Sequence, residues 1–357
     1  MRVTTKSLRA PRGAPTIADV AAEAGVSLMT VSRVINGGKN VRESTREAVL
    51  NVVAKLNYSP NLAARTLAGA EPIRIGLLYS NPSAAYLREF LVGSLDQARL
   101  SHVQLLVEKC DADQHEDEIA KGMLASGIDG IILPPPLCDS LLIHKVVTDA
   151  DALAVAVASG RPPQGLSVVR IDDFAAAKAM TQHIIGLGHR RIGFITGNPN
   201  QIASGERLKG YQAALAEHGI AADPELVALG LFTYRSGLSA TECLLDLKDR
   251  PTAIFASNDD MAAAAVSVAH RRHLCVPTDL TVCGFDDTDF SRSIWPELTT
   301  IRQPIAEMSR AAVELLVSKI RARRTGKPVV FGQTLFDFTL VRRDSDSSVG
   351  ALRVSAK

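Results

Sequence analysis

A chain of 357 residues, 46% hydrophobic and 4% aromatic, is long enough for two or three globular domains of α/β character. Its formal net charge of +2 is unevenly spread, because residues 1–70 hold ten Lys and Arg against four Asp and Glu while the rest hold 30 against 34. Only the head is therefore suited to meet phosphates. Five cysteines, at 110, 138, 243, 275 and 283, form no Cys-x-x-Cys pair, which excludes a disulfide framework and a zinc ribbon. The longest aliphatic run, Ala152 to Ala158, falls far short of the ~20 residues a membrane helix needs. Arg2, Lys6, Arg9 and Arg12 are followed by no apolar run, so residues 1–14 are expected to form a disordered basic arm and the protein to be cytoplasmic.

The first predicted helix opens at Thr16, an N-cap with Asp19 three residues on, and places Ile17, Val20, Ala21 and Ala24 on one face. Gly25 allows the left-handed turn that ends it, and Ser27 caps a second helix carrying Val31, Val34 and Ile35 inward. Small Ala21 and Ala24 let the two cross closely, leaving Leu28, Met29, Thr30, Ser32 and Arg33 outward. A recognition helix would present these to the major groove. Two packed surface helices would read the same way, and the basic charge favours DNA.

From Ile73 onward short apolar runs alternate with amphipathic stretches. The predicted strands are Arg74 to Tyr79, Gln104 to Glu108, Gly130 to Leu133, Leu153 to Val157, Val168 to Ile171, Arg191 to Thr196, Ala253 to Ala256 and Leu280 to Phe285. Helices are predicted over Tyr86 to Leu100, Glu116 to Ser126, Phe174 to Gly186, Gly205 to His218 and Asp259 to His270. Strands spaced by helices imply parallel sheets with right-handed crossovers, and so many strands need two lobes. Ligands of such sheets sit beyond the carboxyl ends of the strands, where Asn258 and Asp286 fall. Each taken singly could be a surface turn or a helix cap.

Catalytic signatures are absent. Gly186-x-Gly188 precedes a strand instead of following one, and there is no P-loop and no Gly-x-Ser-x-Gly elbow. His270 and His273 have Arg271 and Arg272 between them, and Asp286, Asp287 and Asp289 lack the spacing of an ion-binding loop. No catalytic residue, metal or cofactor is expected.

Ile17-Ala18-Asp19-Val20-Ala21, Gly25-Val26-Ser27, Thr30-Val31-Ser32-Arg33 and Asn57-Tyr58-Ser59-Pro60-Asn61 closely resemble the lactose/galactose repressor family of bacterial transcription regulators. The likeness continues through Gly186-Leu187-Gly188-His189-Arg190-Arg191-Ile192, Arg207-Leu208-Lys209-Gly210-Tyr211, Ser257-Asn258-Asp259 and Gly284-Phe285-Asp286-Asp287. It implies a helix-turn-helix head at 15–60, a hinge helix and linker at 61–71, a core at 72–343 and a polar tail at 344–357. The core would be a two-lobed α/β structure like periplasmic sugar-binding proteins, crossed three times by the chain. Its first lobe is expected at about 72–171 and 303–327, its second at about 172–302 and 328–343.

The same resemblance implies DNA contacts from Thr16, Ser27, Leu28, Met29, Thr30, Ser32, Arg33, Asn36, Tyr58, Asn61, Ala64 and Leu67, with Leu67 wedged into the minor groove. A hinge helix of two turns is unstable alone, so its order is expected on operator DNA only. Arg207, Asn258 and Asp286 would clamp an effector, with Phe232 stacking on it and Tyr86 lining the site. Three departures qualify this. Arg42 stands where the family has a Ser cap on the third helix, and Leu87 follows Tyr86 where purine binders have a second aromatic. Pro134-Pro135-Pro136 replaces a polar side chain of some sugar binders, so Asn81 or Arg88 would substitute in the first lobe. The function implied is a repressor that binds double-stranded operator DNA as a homodimer and answers to a carbohydrate-like effector. A purine-type effector, or a sugar-binding receptor with the same core, are the alternatives. The effector's identity, and whether it induces or co-represses, do not follow from the sequence.

Overall fold

The computed structural model describes residues 15–35, 41–56, 58, 72–110, 115–160 and 165–349. Two compact units divide at Pro72 and Ile73. The expected basic arm and hinge, and among the expected DNA contacts Asn36, Asn61, Ala64 and Leu67, lie outside the described residues.

The head holds three helices, α1 (Ile17–Ala24), α2 (Leu28–Ile35) and α3 (Glu43–Lys55). Thr16 closes a capping box on α1: its Oγ1 accepts from Asp19 N while the Asp19 carboxylate accepts from Thr16 N. Gly25 takes φ 64°, the left-handed conformation in which its amide reaches back to the last carbonyls of α1. Ser27 Oγ accepts from Thr30 N at 3.2 Å. Val20, Ala21, Val31, Val34 and Val49 are the buried centre. Arg42 sits at the N-cap of α3 and makes no side-chain cap bond, which leaves acidic Glu43 in the first turn to face the helix dipole.

The core is built on two six-stranded sheets. The first joins β1 (Arg74–Tyr79), β2 (Gln104–Lys109), β3 (Gly130–Leu133), β4 (Leu153–Val157) and β5 (Ser167–Arg170). The second joins β6 (Ile192–Ile195), β7 (Val227–Ala228), β8 (Ala253–Ala256), β9 (Thr281–Asp286) and β10 (Thr299–Arg302). Two late strands complete them: β11 (Gln333–Leu335) enters the first sheet and β12 (Thr339–Val341) the second. The orders are β11-β5-β4-β3-β1-β2 and β12-β10-β9-β8-β6-β7, parallel throughout except where β12 pairs with β10. Central strands such as β4 are buried along their whole length, as continuous apolar runs in a covered parallel sheet must be.

Helices α4 (Ala84–Ser101), α5 (Glu116–Ala125) and α6 (Leu141–Asp149) belong to the first lobe; α7 (Asp173–Gly186), α8 (Ile202–Glu217), α9 (Tyr234–Leu245), α10 (Asp259–Arg271) and the short α11 (Phe290–Ser293) belong to the second. The chain then returns for α12 (Ile305–Arg324), which packs on α4, its Ser309 hydroxyl donating to Phe90 O at 2.6 Å. One buried cluster runs through both lobes, from Ile75 and Val155 to Ile192 and Phe285.

Two boundaries differ from those expected. The sequence places residues 328–335 in the second lobe, but Gln333 registers with Val168 and Phe336 N donates to Arg170 O at 2.8 Å, so this stretch edges the first sheet. The last crossing falls at Phe336–Phe338. The polar tail expected from 344 opens as docked chain: Ser345 is buried, its hydroxyl donates to Val282 O, and Asp346 pairs with Arg342 at 3.1 Å. No helix among the described residues is long and apolar enough to cross a membrane.

Candidate functional site

The carboxyl ends of the core strands converge on one cleft. After β1, Asn81 Oδ1 accepts from Ser83 N at 2.8 Å, and Ser83 caps α4 by accepting from Tyr86 N. That geometry turns Tyr86 into the cleft, buried, with its hydroxyl lacking a hydrogen-bond partner. Burial holds its phenol well above the ordinary range.

From the second lobe, α8 supplies Arg207. Its Nε donates to Asp173 Oδ1 at 2.8 Å and its Nη1 to Ser257 O at 2.6 Å, with Asp286 Oδ1 at 3.9 Å. The guanidinium lies 3.6 Å from the Phe285 ring centroid and 5.8 Å from that of Phe232. Asp286 ends β9 at φ 113° and Asp287 follows at φ 57°, a strained pair of the kind that marks binding sites. Gln303, just past β10, donates Nε2 to Asp286 Oδ1 at 2.6 Å, and its own Oε1 is buried without a partner. Burial outweighs Arg207 and Gln303 and pushes the Asp286 carboxyl up to about 7. Asp173 is raised by burial too, against the pull of Arg207.

All six residues expected at an effector site, Asn81, Tyr86, Arg207, Phe232, Asn258 and Asp286, line this one cleft. Arg88, the alternative to Asn81 for first-lobe hydrogen bonding, lies instead in a neighbouring groove, paired with Asp289. Asn258 also has a part in holding the wall. Its Oδ1 caps α10 by accepting from Met261 N at 3.0 Å and its Nδ2 donates to Phe232 O at 3.1 Å, so it fixes the wall and the left-handed Phe232, φ 58°. Gln201, Gln303, Ser83 and the buried Asp173 were not anticipated. Two ties span the lobes beside the cleft, Ser83 Oγ to Asp260 Oδ2 at 2.7 Å and Ile202 N to Asp139 Oδ2 at 2.9 Å, and Arg88 to Asp289 adds a third in the neighbouring groove.

In the head, α2 turns Leu28 and Met29 outward, 52% and 64% exposed, with Arg33 exposed on the same helix. Ser27 and Thr16 are exposed at the two helix starts, while Thr30, Ser32 and Tyr58 are half-buried. Isolated large apolar side chains on a basic, helix-presenting surface suit thymine methyls and base edges. Among the described residues no cluster of His, Cys, Asp or Glu could hold a metal ion.

Residues 16–61 match the family model of bacterial regulatory proteins, lacI family, and residues 181–345 match the periplasmic binding protein-like domain. Catabolite control protein A of Priestia megaterium is 33% identical over 317 residues, 88% of this chain and 95% of that protein. Among solved structures, the transcriptional regulator CelR–cellobiose complex is similar at TM-score 0.70 and 31% identity, covering 93% of this chain and 99% of that one. The lac repressor dimer bound to operator and the anti-inducer ONPF is similar at TM-score 0.68 and 26% identity, covering 94% and 100%.

Proposed function

Because this chain belongs to the lacI family of bacterial regulatory proteins, it is a DNA-binding transcriptional regulator, and we propose that it is a homodimeric repressor governed by a carbohydrate-like effector bound in the cleft. The observation that carries the reading is the convergence of Arg207, Asp286, Gln303 and the unpartnered Tyr86 hydroxyl on one space beside the Phe232 ring. Adjacent hydroxyls of a sugar each donate and accept, which matches paired carboxylate, amide and guanidinium groups. CelR, solved with cellobiose, offers the parallel. Leu87, next to Tyr86, is not part of the cleft wall, so a second aromatic for a purine is missing there. A transport receptor would have no use for the head.

Two heads related by a two-fold axis read a palindromic operator. An effector that binds better to one arrangement of the lobes shifts the spacing of the heads, and reciprocity requires operator DNA to change effector affinity by the same factor.

The head is tested by selection from a randomised operator library. Replacing Leu28 and Met29 with Ala is expected to flatten preference at the contacted base pairs, by about 1–3 kcal/mol for each lost readout, while nonspecific binding stays. Unchanged preference would remove α2 from the groove.

The cleft is tested by pH. A sugar hydroxyl donates to the ionised Asp286 carboxylate, and protonation removes that acceptor. Because the free group titrates near 7, effector affinity should fall below that pH, approaching about tenfold per unit, and level off above it. Calorimetric titrations at three pH values spanning neutrality would read this; a flat profile would take Asp286 out of the contact set.

A further inference from the structure

We infer that the effector is an uncharged polyol, and that the cleft rejects the phosphorylated or carboxylated forms of the same sugar. The inference rests on the effector-cleft reading above and narrows it.

Charge sets the limit. Among the described residues lining the cleft, Arg207 is the one cation, and it is already engaged by two carboxyl groups, Asp173 at 2.8 Å and Asp286 at 3.9 Å. Asp260 adds a further carboxyl at the mouth, bonded to Ser83, and Asp259 lies behind β9, where Thr300 donates to it at 2.7 Å. An anion entering here would lose its hydration and find a single guanidinium that Asp173 and Asp286 already engage.

Helix N-termini are the usual alternative for holding a phosphate. Three helices open beside the cleft, and each has one of its first amides taken by a side chain of the protein itself. In α4, Ser83 Oγ accepts from Tyr86 N; in α8, Asp139 Oδ2 accepts from Ile202 N; in α10, Asn258 Oδ1 accepts from Met261 N. The carboxylate of Asp139 occupies the place an anion would seek at α8.

The groups left without partners point the same way. Gln303 Oε1 accepts only, and Asp286 Oδ2 takes no hydrogen bond within the described residues. The Tyr86 hydroxyl can give or accept. Two acceptors call for ligand donors, which hydroxyls supply and phosphate or carboxylate oxygens do not. The apolar part of the wall, Pro135, Ala203 and the Phe232 ring, suits the C–H face of a sugar.

The test uses the full chain and matched probes: glucose with glucose 6-phosphate and gluconate, ribose with ribose 5-phosphate, and cellobiose, followed by thermal shift and calorimetry. The expected result is stabilisation by a neutral sugar, with its charged counterpart at least about tenfold weaker. A phosphate ester or gluconate binding as tightly as the neutral sugar would overturn the inference and leave the cleft reading standing. Tyr86→Phe, which removes one unpartnered hydroxyl, should weaken the neutral sugar severalfold without moving the melting temperature of the free protein. A neutral sugar that binds the Tyr86→Phe and Asp286→Asn variants as well as the parent would instead overturn the cleft reading. Silence across the whole panel would overturn the carbohydrate reading and this inference with it.

Discussion

Arg207→Ala is expected to destabilise the core by about 3–5 kcal/mol and to abolish the effector response together, because a buried ion pair broken from one side leaves its partner uncompensated. Asp173 and Asp286 are both buried, and Arg207 is the cation that faces them. The companion change Asp286→Asn separates the two effects. Burial raises that carboxyl to about 7, so its ionisation opposes folding: the folded state holds the proton to higher pH than the unfolded chain does. Stability conferred by this group therefore declines as pH rises from the ordinary carboxylate range through 7. An amide of the same shape removes the decline while also removing the acceptor. Denaturant titrations above pH 7 should show Arg207→Ala strongly weakened and Asp286→Asn unweakened, with neither responding to effector in operator titrations. An Arg207→Ala core as stable as the parent would mean that Asp173 is carried neutral and that the guanidinium is not holding the site together.

How far the sequence carried this result depends on the range of the interaction involved. In the head every signal is local: Thr16 to Asp19, Gly25 and Ser27 each act within four residues, and the structure has each of them where the pattern put it. The apolar runs of β3, β4 and β8 were legible because strands covered on both faces carry no polar interruption. β11 carried no such signal. All three of its residues are exposed at a sheet edge, and its pairing with β5 is a contact across more than 160 residues, so 328–335 went to the wrong lobe. The cleft shows the same division. Asn258 and Asp286 follow recognisable strands and were found, whereas Gln303 follows β10, which starts Thr299-Thr300 and has no apolar run to announce it. The partners Asp173 and Asp139 are ordinary helix-start and turn residues in sequence; only the folded chain sets them against Arg207 and the α8 amide. Asn258 carries a second task the motif did not announce, since its amide also caps α10 and holds the Phe232 carbonyl.

Gly197→Ala is expected to abolish effector binding at small cost to folding. Gly197 follows β6 and lies against the face of Phe232, so close that a Cβ placed there would overlap the ring. The Phe232 backbone cannot retreat, because it is held in the left-handed region at φ 58° and its carbonyl accepts from Asn258. The side chain must therefore rotate, and the nearest empty space is the cleft it lines. The ring would then stand where the effector belongs. Overpacking of this kind costs about 1–3 kcal/mol where neighbours are rigid, and toward the lower figure where a ring can swing into a void. Calorimetry should thus find binding lost, while the melting temperature falls by only a few degrees and operator affinity without effector stays at the parent value. Phe232→Ala in the Gly197→Ala background gives the decisive control: with the displaced ring gone, the space reopens, and weak effector binding should return. If the double variant binds no better than Gly197→Ala alone, the loss comes from a distorted β6 end and not from the ring.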